Sequence, residues 1–173
     1  MRLFIAINFP DEVKSVITKI RDDIKASAFC GNFTVDANLH LTLVFLGECD
    51  RQQAGSVKAV MDEIKFPEFA LMLEKVGYFK RDGGNTWWIG LKDNKPLSDL
   101  QADLSGRLQR RGFMLENRRY VPHVTIGREV KAPTDFIKPD VRQVSFNVTS
   151  IELMLSERIN GKLVYTPVYS KNS

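Results

Sequence analysis

The apolar positions near the start of the chain change their period. Leu3–Ile7 is an unbroken apolar run that ends before Pro10, and such a run is typical of a buried strand. From Asp11 onward the apolar residues follow i, i+3, i+4 spacing, which predicts an amphipathic helix that ends near Ala28. Gly31 is then expected in a loop. The chain therefore begins with a strand followed by a helix.

Two turn signals divide the later apolar runs into hairpins. Arg81–Asn85 and Asn160–Gly161 carry the Gly and Asn residues that tight turns favour. The runs around them alternate as strands do, whereas two other segments keep helical spacing. The remaining predicted elements are strands over Leu39–Leu46, Phe69–Phe79, Thr86–Leu91, Tyr120–Gly127, Val141–Leu155 and Lys162–Tyr169, and helices over Gln52–Ile64 and Pro96–Gly112.

The order of these elements indicates the fold class. It mixes helices with hairpins and lacks the strict strand–helix alternation of a doubly wound parallel sheet, so it predicts an α+β fold with mostly antiparallel sheets. A chain of 173 residues can bury a sizeable core without disulfides or metals. We expect residues 1–173 to form a single domain built of two lobes.

Composition and charge narrow the classes of function. With 25 Lys and Arg against 21 Asp and Glu, the chain has a formal charge of +4, which is compatible with a phosphate-bearing partner but too small to establish one. No apolar run approaches the ~20 residues of a membrane span, and the N-terminus lacks a secretory signal pattern. Cys30 and Cys49 have no metal-binding spacing and are expected to be ordinary thiols. We therefore expect a cytoplasmic monomer without membrane association or an obligate protein partner.

The only two histidines of the chain lie in the same short pattern. Segments 40–43 (HLTL) and 123–126 (HVTI) both read His-x-Thr-x with apolar residues at x, and they lie roughly half the chain apart. Because side chains alternate between the faces of a strand, each histidine shares a face with its threonine, while the apolar residues point into the core. Two such strands that lie side by side would form one site.

Such a site has a defined chemistry. Imidazoles titrate near neutral pH, so His40 and His123 can hold opposite protonation states, one as base and one as acid. The hydroxyls of Thr42 and Thr125 can donate hydrogen bonds to phosphate oxygens. Arg128, near the end of the second strand, can neutralise the phosphate. This set suits in-line displacement at phosphorus, but the residue types do not say which histidine is the acid.

Plainer interpretations stay open for each of these residues. Taken singly, either histidine is more often a surface or hydrogen-bonded residue, and Arg128 is as often a solvated charge. A metal site with two histidines is another interpretation, but the chain has no HExxH pattern, and neither motif holds an Asp, Glu or Cys at its inner positions. We therefore expect acid–base catalysis without a metal or any other cofactor.

The two motifs and several further segments are similar to a known family. These segments are Arg2–Ile7, Asn38–Glu48, Trp87–Gly90, Pro122–Arg128 and Leu155–Glu157, together with Tyr165. On these residues the chain resembles the 2H phosphoesterase superfamily, specifically the RNA 2′,3′-cyclic phosphodiesterases, historically called 2′-5′ RNA ligases. The similar segments span nearly the whole chain.

The resemblance implies both a fold and a reaction. The fold is bilobal with pseudo-twofold symmetry, and its two mostly antiparallel sheets, flanked by helices, enclose a central cleft. The reaction is the metal-independent hydrolysis of a terminal 2′,3′-cyclic phosphate of RNA to a 2′-phosphomonoester. By the resemblance, His40 is the proton donor to the 3′ leaving oxygen and His123 the proton acceptor that activates water. Thr42 and Thr125 would hold the non-bridging oxygens.

The expected partner is an RNA end or a nucleotide that carries a 2′,3′-cyclic phosphate. Arg118 and Arg119 run into Tyr120, an aromatic residue that can stack on a base, so these three residues are candidates for RNA binding. Trp87 and Trp88 alternate along a strand, so one is expected in the core and the other beside the cleft. The alternatives are 2′-5′ RNA ligase or 2′-5′ phosphodiesterase activity at the same site, or a non-catalytic RNA- or nucleotide-binding module.

Overall fold

The structure, a computed structural model, describes residues 1–173 and places the strands of the chain in two sheets. Three α-helices and one short 3₁₀ turn at Asp36–Asn38 complete it. The strands are β1 (Arg2–Asn8), β2 (Cys30–Phe33), β3 (His40–Glu48), β4 (Phe69–Phe79), β5 (Asn85–Leu91), β6 (His123–Lys131), β7 (Ser145–Val148), β8 (Ser150–Ile159) and β9 (Lys162–Asn172), and the helices are α1 (Asp11–Ser27), α2 (Arg51–Glu63) and α3 (Lys95–Arg110).

The two sheets have corresponding strand orders. One sheet runs β3-β1-β8-β9, and the other runs β2-β6-β5-β4-β7, so that β6, β5, β4 and β7 match β3, β1, β8 and β9 in turn. Every strand pair is antiparallel. The two strands that begin with histidine, β3 and β6, occupy equivalent places and contact each other between the sheets. The predicted α+β fold with two antiparallel sheets and pseudo-twofold symmetry is confirmed.

Local sequence signals explain where two of the helices begin and where one hairpin turns. Asp50 caps α2 by accepting a hydrogen bond from the Gln53 amide, and the Gln53 side chain accepts one from the Asp50 amide in return. The Asn94 side chain caps α3 by accepting from the Leu97 amide. The β8–β9 turn uses Asn160 and Gly161 at φ 51 and 77, the left-handed values that a tight hairpin requires. None of the helices is long and apolar enough to cross a membrane.

One hydrophobic core joins both sheets and all three helices. The apolar residues of the two His-x-Thr motifs belong to it: Leu41, Leu43, Val124 and Ile126 are at most 2% exposed. Burial of each such side chain stabilises the folded state by about 1.5–3 kcal/mol. Burial of these residues fixes the register of β3 and β6, and a shift by one residue would turn the histidines into the core.

Two predictions were wrong, one for β6 and one for β2, the strand that pairs with it. The strand predicted over Tyr120–Gly127 begins only at His123 and continues to Lys131. Pro122 has no amide hydrogen, so the chain before His123 cannot add regular pairing there. Gly31, expected in a loop, lies in the short strand β2, which pairs with β6. This pairing depends on a partner distant in sequence, and four residues of mixed polarity carry little periodic signal.

The single strand predicted over Val141–Leu155 was also wrong. It is two strands, β7 paired with β4 in one sheet and β8 paired with β1 in the other, and the chain changes sheet at Thr149. The buried positions change phase at this point. Phe146 and Val148 are buried in β7, whereas Ile151 and Leu153 are buried in β8. A strand keeps one phase, so this shift was the signal of the break.

Each histidine strand contains a bulge at the same place. The pairing of β3 with β1 passes over Leu43, and the pairing of β6 with β5 passes over Ile126. A bulge adds one residue to a strand and so changes which face the following side chains occupy. Phe45 and Arg128, the third residues after the two threonines, are both exposed beyond their bulges. Beyond the two bulges, Phe45 and Arg128 therefore occupy equivalent exposed positions on their strands.

A glycine in the β4–β5 turn tests the packing beside β6. Gly84 has φ +124, and a Cβ there would lie 2.6 Å from the backbone carbon of Glu129. We expect Gly84→Ala to lower the free energy of unfolding by about 1–3 kcal/mol, as judged from urea denaturation, because both backbone strain and a clash oppose it. Gly83→Ala is the matched control, since a Cβ there meets nothing within 4 Å. Equal unfolding midpoints for the two variants would contradict this packing.

Candidate active site

A cavity of about 500 Å³ opens where β3 and β6 meet. Its volume lies within the range of sites for small molecules. Most of the residues singled out from the sequence form its wall, which includes Thr42, Arg118, Arg119, Tyr120, His123, Thr125 and Arg128. His40 does not form part of this wall. Its ring lies behind the hydroxyl of Thr42, to which it is hydrogen-bonded.

A backbone carbonyl holds the ring of His123. Its Nδ1 lies 2.7 Å from the carbonyl oxygen of Val121, and a carbonyl can only accept, so Nδ1 carries a proton. In the neutral ring Nε2 is then the free acceptor. Phe79 meets the imidazole edge-on at a centroid distance of 5.2 Å, and Trp88 lies at 6.4 Å. The orientation of the ring and its tautomer are both fixed.

A backbone carbonyl also holds the ring of His40, and aromatic side chains lie closer to this ring than to that of His123. Its Nδ1 donates to the carbonyl of Asn38 at 2.7 Å, again two residues earlier in the chain. Its Nε2 lies 2.9 Å from Oγ1 of Thr42, so the hydroxyl donates to it when the ring is neutral. Phe4 and Tyr165 pack against the imidazole at centroid distances of 4.8 and 5.2 Å.

Asn38 anchors the carbonyl that holds His40. It is the one buried polar residue of the chain, with 7% of its surface exposed. Its Nδ2 donates to the carbonyl of Leu163, and its Oδ1 accepts from the amide of Tyr165, both in β9. Both polar atoms of the side-chain amide are hydrogen-bonded, which offsets the free-energy cost of burying them. The position of the His40 ring is thereby tied to the far edge of its sheet.

Burial lowers the pKa of both imidazoles below the usual 6.5, because a low-dielectric surrounding disfavours the charged ring. The backbone carbonyls oppose this by favouring the charged ring, but they do not outweigh it. The guanidinium of Arg128 lowers the pKa of both rings further, and His123 itself lowers that of His40. Both histidines are therefore mainly neutral near pH 7 in the unliganded protein, and an anion between them would favour protonation.

The cavity wall is rich in arginine. Arg118 pairs with Glu116 at 2.6 Å, whereas Arg81, Arg119 and Arg128 form no ion pair. Free guanidinium groups on a concave surface attract phosphate oxygens. The cavity can therefore hold an anion.

Tyr120 has a structural contact in addition to its place in the wall. Its hydroxyl donates to the backbone carbonyl of Thr42 at 3.0 Å, and burial raises its pKa. It therefore stays protonated and joins the loop before β6 to β3. Arg118 and Arg119 are exposed on the same loop. This contact keeps the two arginines at the cavity.

Several residues of the wall were not singled out from the sequence. Phe79 and Arg81 come from the β4–β5 hairpin, and Gln101 and Ser105 come from α3. Nothing in the local sequence marks these four, because their position depends on how the elements pack. Phe45 also lines the cavity, and for it a signal existed, since it stands as far after Thr42 as Arg128 stands after Thr125.

The tryptophan pair behaves as expected. Trp87 is 3% exposed in the core, and Trp88 is half-buried beside His123. Outside the cavity, Cys30 and Cys49 are free thiols, one exposed and one buried. No group of three or more His, Cys, Asp or Glu side chains lies close enough together to hold a metal ion.

The charges around the two rings predict how they titrate. In an NMR titration of the ring protons, both histidines should have apparent pKa values below 6.5, because burial outweighs the carbonyl contacts. Arg128→Gln should raise both pKa values, since it removes a nearby positive charge. Arg110→Gln, on the exposed side of α3, should leave them unchanged. A midpoint above 6.5 in the wild type, or a downward shift in Arg128→Gln, would contradict this electrostatic picture.

Known proteins resemble this chain over most of its length. Residues 9–160 match the family model described as the 2′-5′ RNA ligase superfamily. The chain is 31% identical over 171 residues to an RNA 2′,3′-cyclic phosphodiesterase of Escherichia coli, covering 96% of this chain and 93% of that protein. It is 35% identical over 131 residues to a protein of the same name from Thermotoga maritima, covering 74% of this chain and 70% of that protein.

Solved structures show the same likeness. The crystal structure of E. coli LigT complexed with 3′-AMP superposes with a TM-score of 0.87 at 30% identity and covers 99% of this chain and 97% of that one. A protein of Thermus thermophilus, TT0787, superposes with a TM-score of 0.86 at 23% identity, over 99% and 97% of the two chains, and at that identity shows the fold alone. The chain belongs to the 2′-5′ RNA ligase superfamily of 2H phosphoesterases.

Proposed function

We propose that this protein hydrolyses the terminal 2′,3′-cyclic phosphate of RNA to a 2′-phosphomonoester, without a metal ion. The single observation that carries the proposal is the paired restraint of the two imidazoles. Each Nδ1 donates to a carbonyl two residues earlier, and the two strands that carry the rings meet at one arginine-lined cavity. The activity named for the curated relatives supports the choice of substrate.

The proposed reaction is an in-line displacement at phosphorus. Nε2 of His123 takes a proton from water, whose oxygen forms a bond to phosphorus. The bond from phosphorus to the 3′ oxygen breaks on the opposite side, and that oxygen takes a proton from Nε2 of His40. The product is a 2′-phosphate with a free 3′ hydroxyl. Each histidine contributes one proton transfer, and the next cycle begins after they exchange protons with solvent.

The surroundings of the rings support these two roles. His123 lines the cavity itself, and its Nε2 has no hydrogen-bonding partner within the protein, so it is open to a water molecule. Nε2 of His40 is hydrogen-bonded to Thr42, and the ring is enclosed by two aromatic side chains. The open Nε2 of His123 suits a proton acceptor, and His40 is the donor by the family resemblance.

The other three residues of the proposed site stabilise charge. When His40 is protonated, its Nε2 donates and the Thr42 hydroxyl is released to donate to a phosphate oxygen. Thr125 occupies the equivalent place on β6 and would donate to the second non-bridging oxygen. Arg128 would neutralise the anion, whose negative charge in turn raises the pKa of the nearby His40. Substrate binding thus supplies the protonation state that the acid needs.

Removing either ring tests the catalytic assignment. With EDTA present, the wild type should turn over 2′,3′-cyclic AMP and an oligonucleotide that ends in a cyclic phosphate. His40→Ala and His123→Ala should each lose about 10²–10⁴-fold in kcat, because general acid–base steps contribute that much. Product binding by the variants, measured in parallel, separates catalysis from folding. Wild-type rates in both variants would contradict the assignment of the two histidines, whereas no turnover by any form that still binds RNA would favour a binding module instead. Turnover that EDTA abolishes would contradict metal independence.

The lowered pKa values predict an acidic optimum. At low pH the base His123 becomes protonated, and at high pH the acid His40 loses its proton, so kcat/KM should follow a bell. Since kcat/KM reports the free enzyme, and both pKa values there lie below 6.5, the maximum should lie on the acid side of 6.5. The profile of kcat should lie at higher pH, because the bound anion raises the pKa of His40. A kcat/KM that still rises above about pH 8, well beyond the ordinary range of an imidazole, would contradict the assignment.

A further inference from the structure

The two carbonyls that hold the imidazoles differ in their own support. The carbonyl that holds His40 belongs to Asn38, which is buried and whose side chain is hydrogen-bonded twice to β9. The carbonyl that holds His123 belongs to Val121, which is 46% exposed. It lies in the segment of residues 114–122, whose backbone makes no hydrogen bond to any other backbone group. Neither burial nor strand pairing therefore fixes the acceptor of His123.

Tyr120 connects this segment to the first histidine strand. Its hydroxyl donates to the carbonyl of Thr42 at 3.0 Å, and its ring packs against the hydrophobic core. The ion pair of the segment, between Arg118 and Glu116, stays within it. The hydroxyl of Tyr120 thus makes the one hydrogen bond between residues 114–122 and β3.

The backbone between Tyr120 and His123 is stiff. The ring of Pro122 fixes its own φ, and a proline also restricts the residue before it, here Val121, to an extended backbone. The link from Tyr120 to the carbonyl of Val121 therefore has little freedom. A contact that holds Tyr120 also holds that carbonyl 2.7 Å from Nδ1 of His123.

The equivalent carbonyl on β6 shows what the Tyr120 contact replaces. The carbonyl of Thr125 accepts from the hydroxyl of Thr34, and the next carbonyl, that of Ile126, accepts from the Thr34 amide, both at 3.0 Å. Thr34 directly follows β2, so on β6 the neighbouring strand brings these donors. β3 is an edge strand of its sheet, and there Tyr120 supplies the hydroxyl that meets the carbonyl of Thr42.

We propose that Tyr120 is a positioning residue for His123. Its hydroxyl keeps the Val121 carbonyl at Nδ1 of His123, so the proton of the neutral ring stays on Nδ1 and Nε2 stays free to accept one. The inference rests on the proposed function, since that function makes His123 the base. It differs from the expectation that Tyr120 stacks on an RNA base, because stacking needs only the aromatic ring, whereas positioning needs the hydroxyl.

Tyr120→Phe separates the two roles, because it keeps the ring and removes only the hydroxyl. The readout is the tautomer of each histidine, taken from the imidazole nitrogen chemical shifts at a pH above both pKa values. In the wild type both neutral rings should carry their proton on Nδ1. In Tyr120→Phe a second population of His123 should appear with its proton on Nε2. His40 is the internal control and should not change, because Asn38 holds its carbonyl acceptor.

Turnover of 2′,3′-cyclic AMP is the second readout. In Tyr120→Phe, kcat should fall about two- to tenfold, as expected for the loss of one hydrogen bond. KM should change little, because the base acts after the substrate has bound. Tyr169→Phe is the matched control, since it removes a hydroxyl that donates to Asp62 outside the cavity. It should keep both tautomers and the wild-type kcat.

Two results would overturn the proposal. One is a wild-type kcat in Tyr120→Phe, which would leave only a role for the ring. The other is a lower kcat while His123 keeps a single tautomer with its proton on Nδ1. Failure of the proposed function has a different sign, namely a wild type that turns over neither cyclic phosphate. The tautomers would test the role of Tyr120 in that case too, because they are measured without substrate.

Discussion

The hydrogen bond from each imidazole Nδ1 to the carbonyl two residues earlier is the constraint on which the site depends. A carbonyl accepts only, so the contact fixes both the orientation of the ring and the nitrogen that carries its permanent proton. Nε2 is left as the one titrating atom on each ring. The chain makes this contact twice, at Asn38 and Val121, just before two strands related by pseudo-symmetry. Two separately held rings can then act in opposite senses on one anion.

The surroundings of the rings determine when they are charged. Aromatic side chains pack against both imidazoles, Phe4 and Tyr165 on one side and Phe79 and Trp88 on the other, and burial lowers the pKa of each ring. In such surroundings a charged ring needs a counter-charge close by. A bound phosphate supplies one. In the proposed mechanism, the same burial that keeps the free rings neutral couples protonation of the acid to the arrival of substrate.

The sequence predicted those features that follow from local alternation. The shared face of each histidine and threonine and the burial of Leu41 and Val124 required only the geometry of a strand. The features it missed depend on contacts between distant segments. The place of His40 behind Thr42 requires packing by β9, and the exposure of Phe45 requires a bulge, which exists only in relation to a paired strand. The strand break at Thr149 was also missed, although the apolar positions change phase there and so marked it in the sequence.

A crystal structure of the protein with adenosine 2′-monophosphate bound would show whether the two imidazoles share one anion. We predict that the phosphate lies between β3 and β6, with Nε2 of both His40 and His123 and the hydroxyls of Thr42 and Thr125 within about 3.2 Å of its oxygens, the usual limit of a hydrogen bond. A phosphate that contacts one imidazole only, or that binds at Arg118 and Arg119 away from both rings, would contradict it.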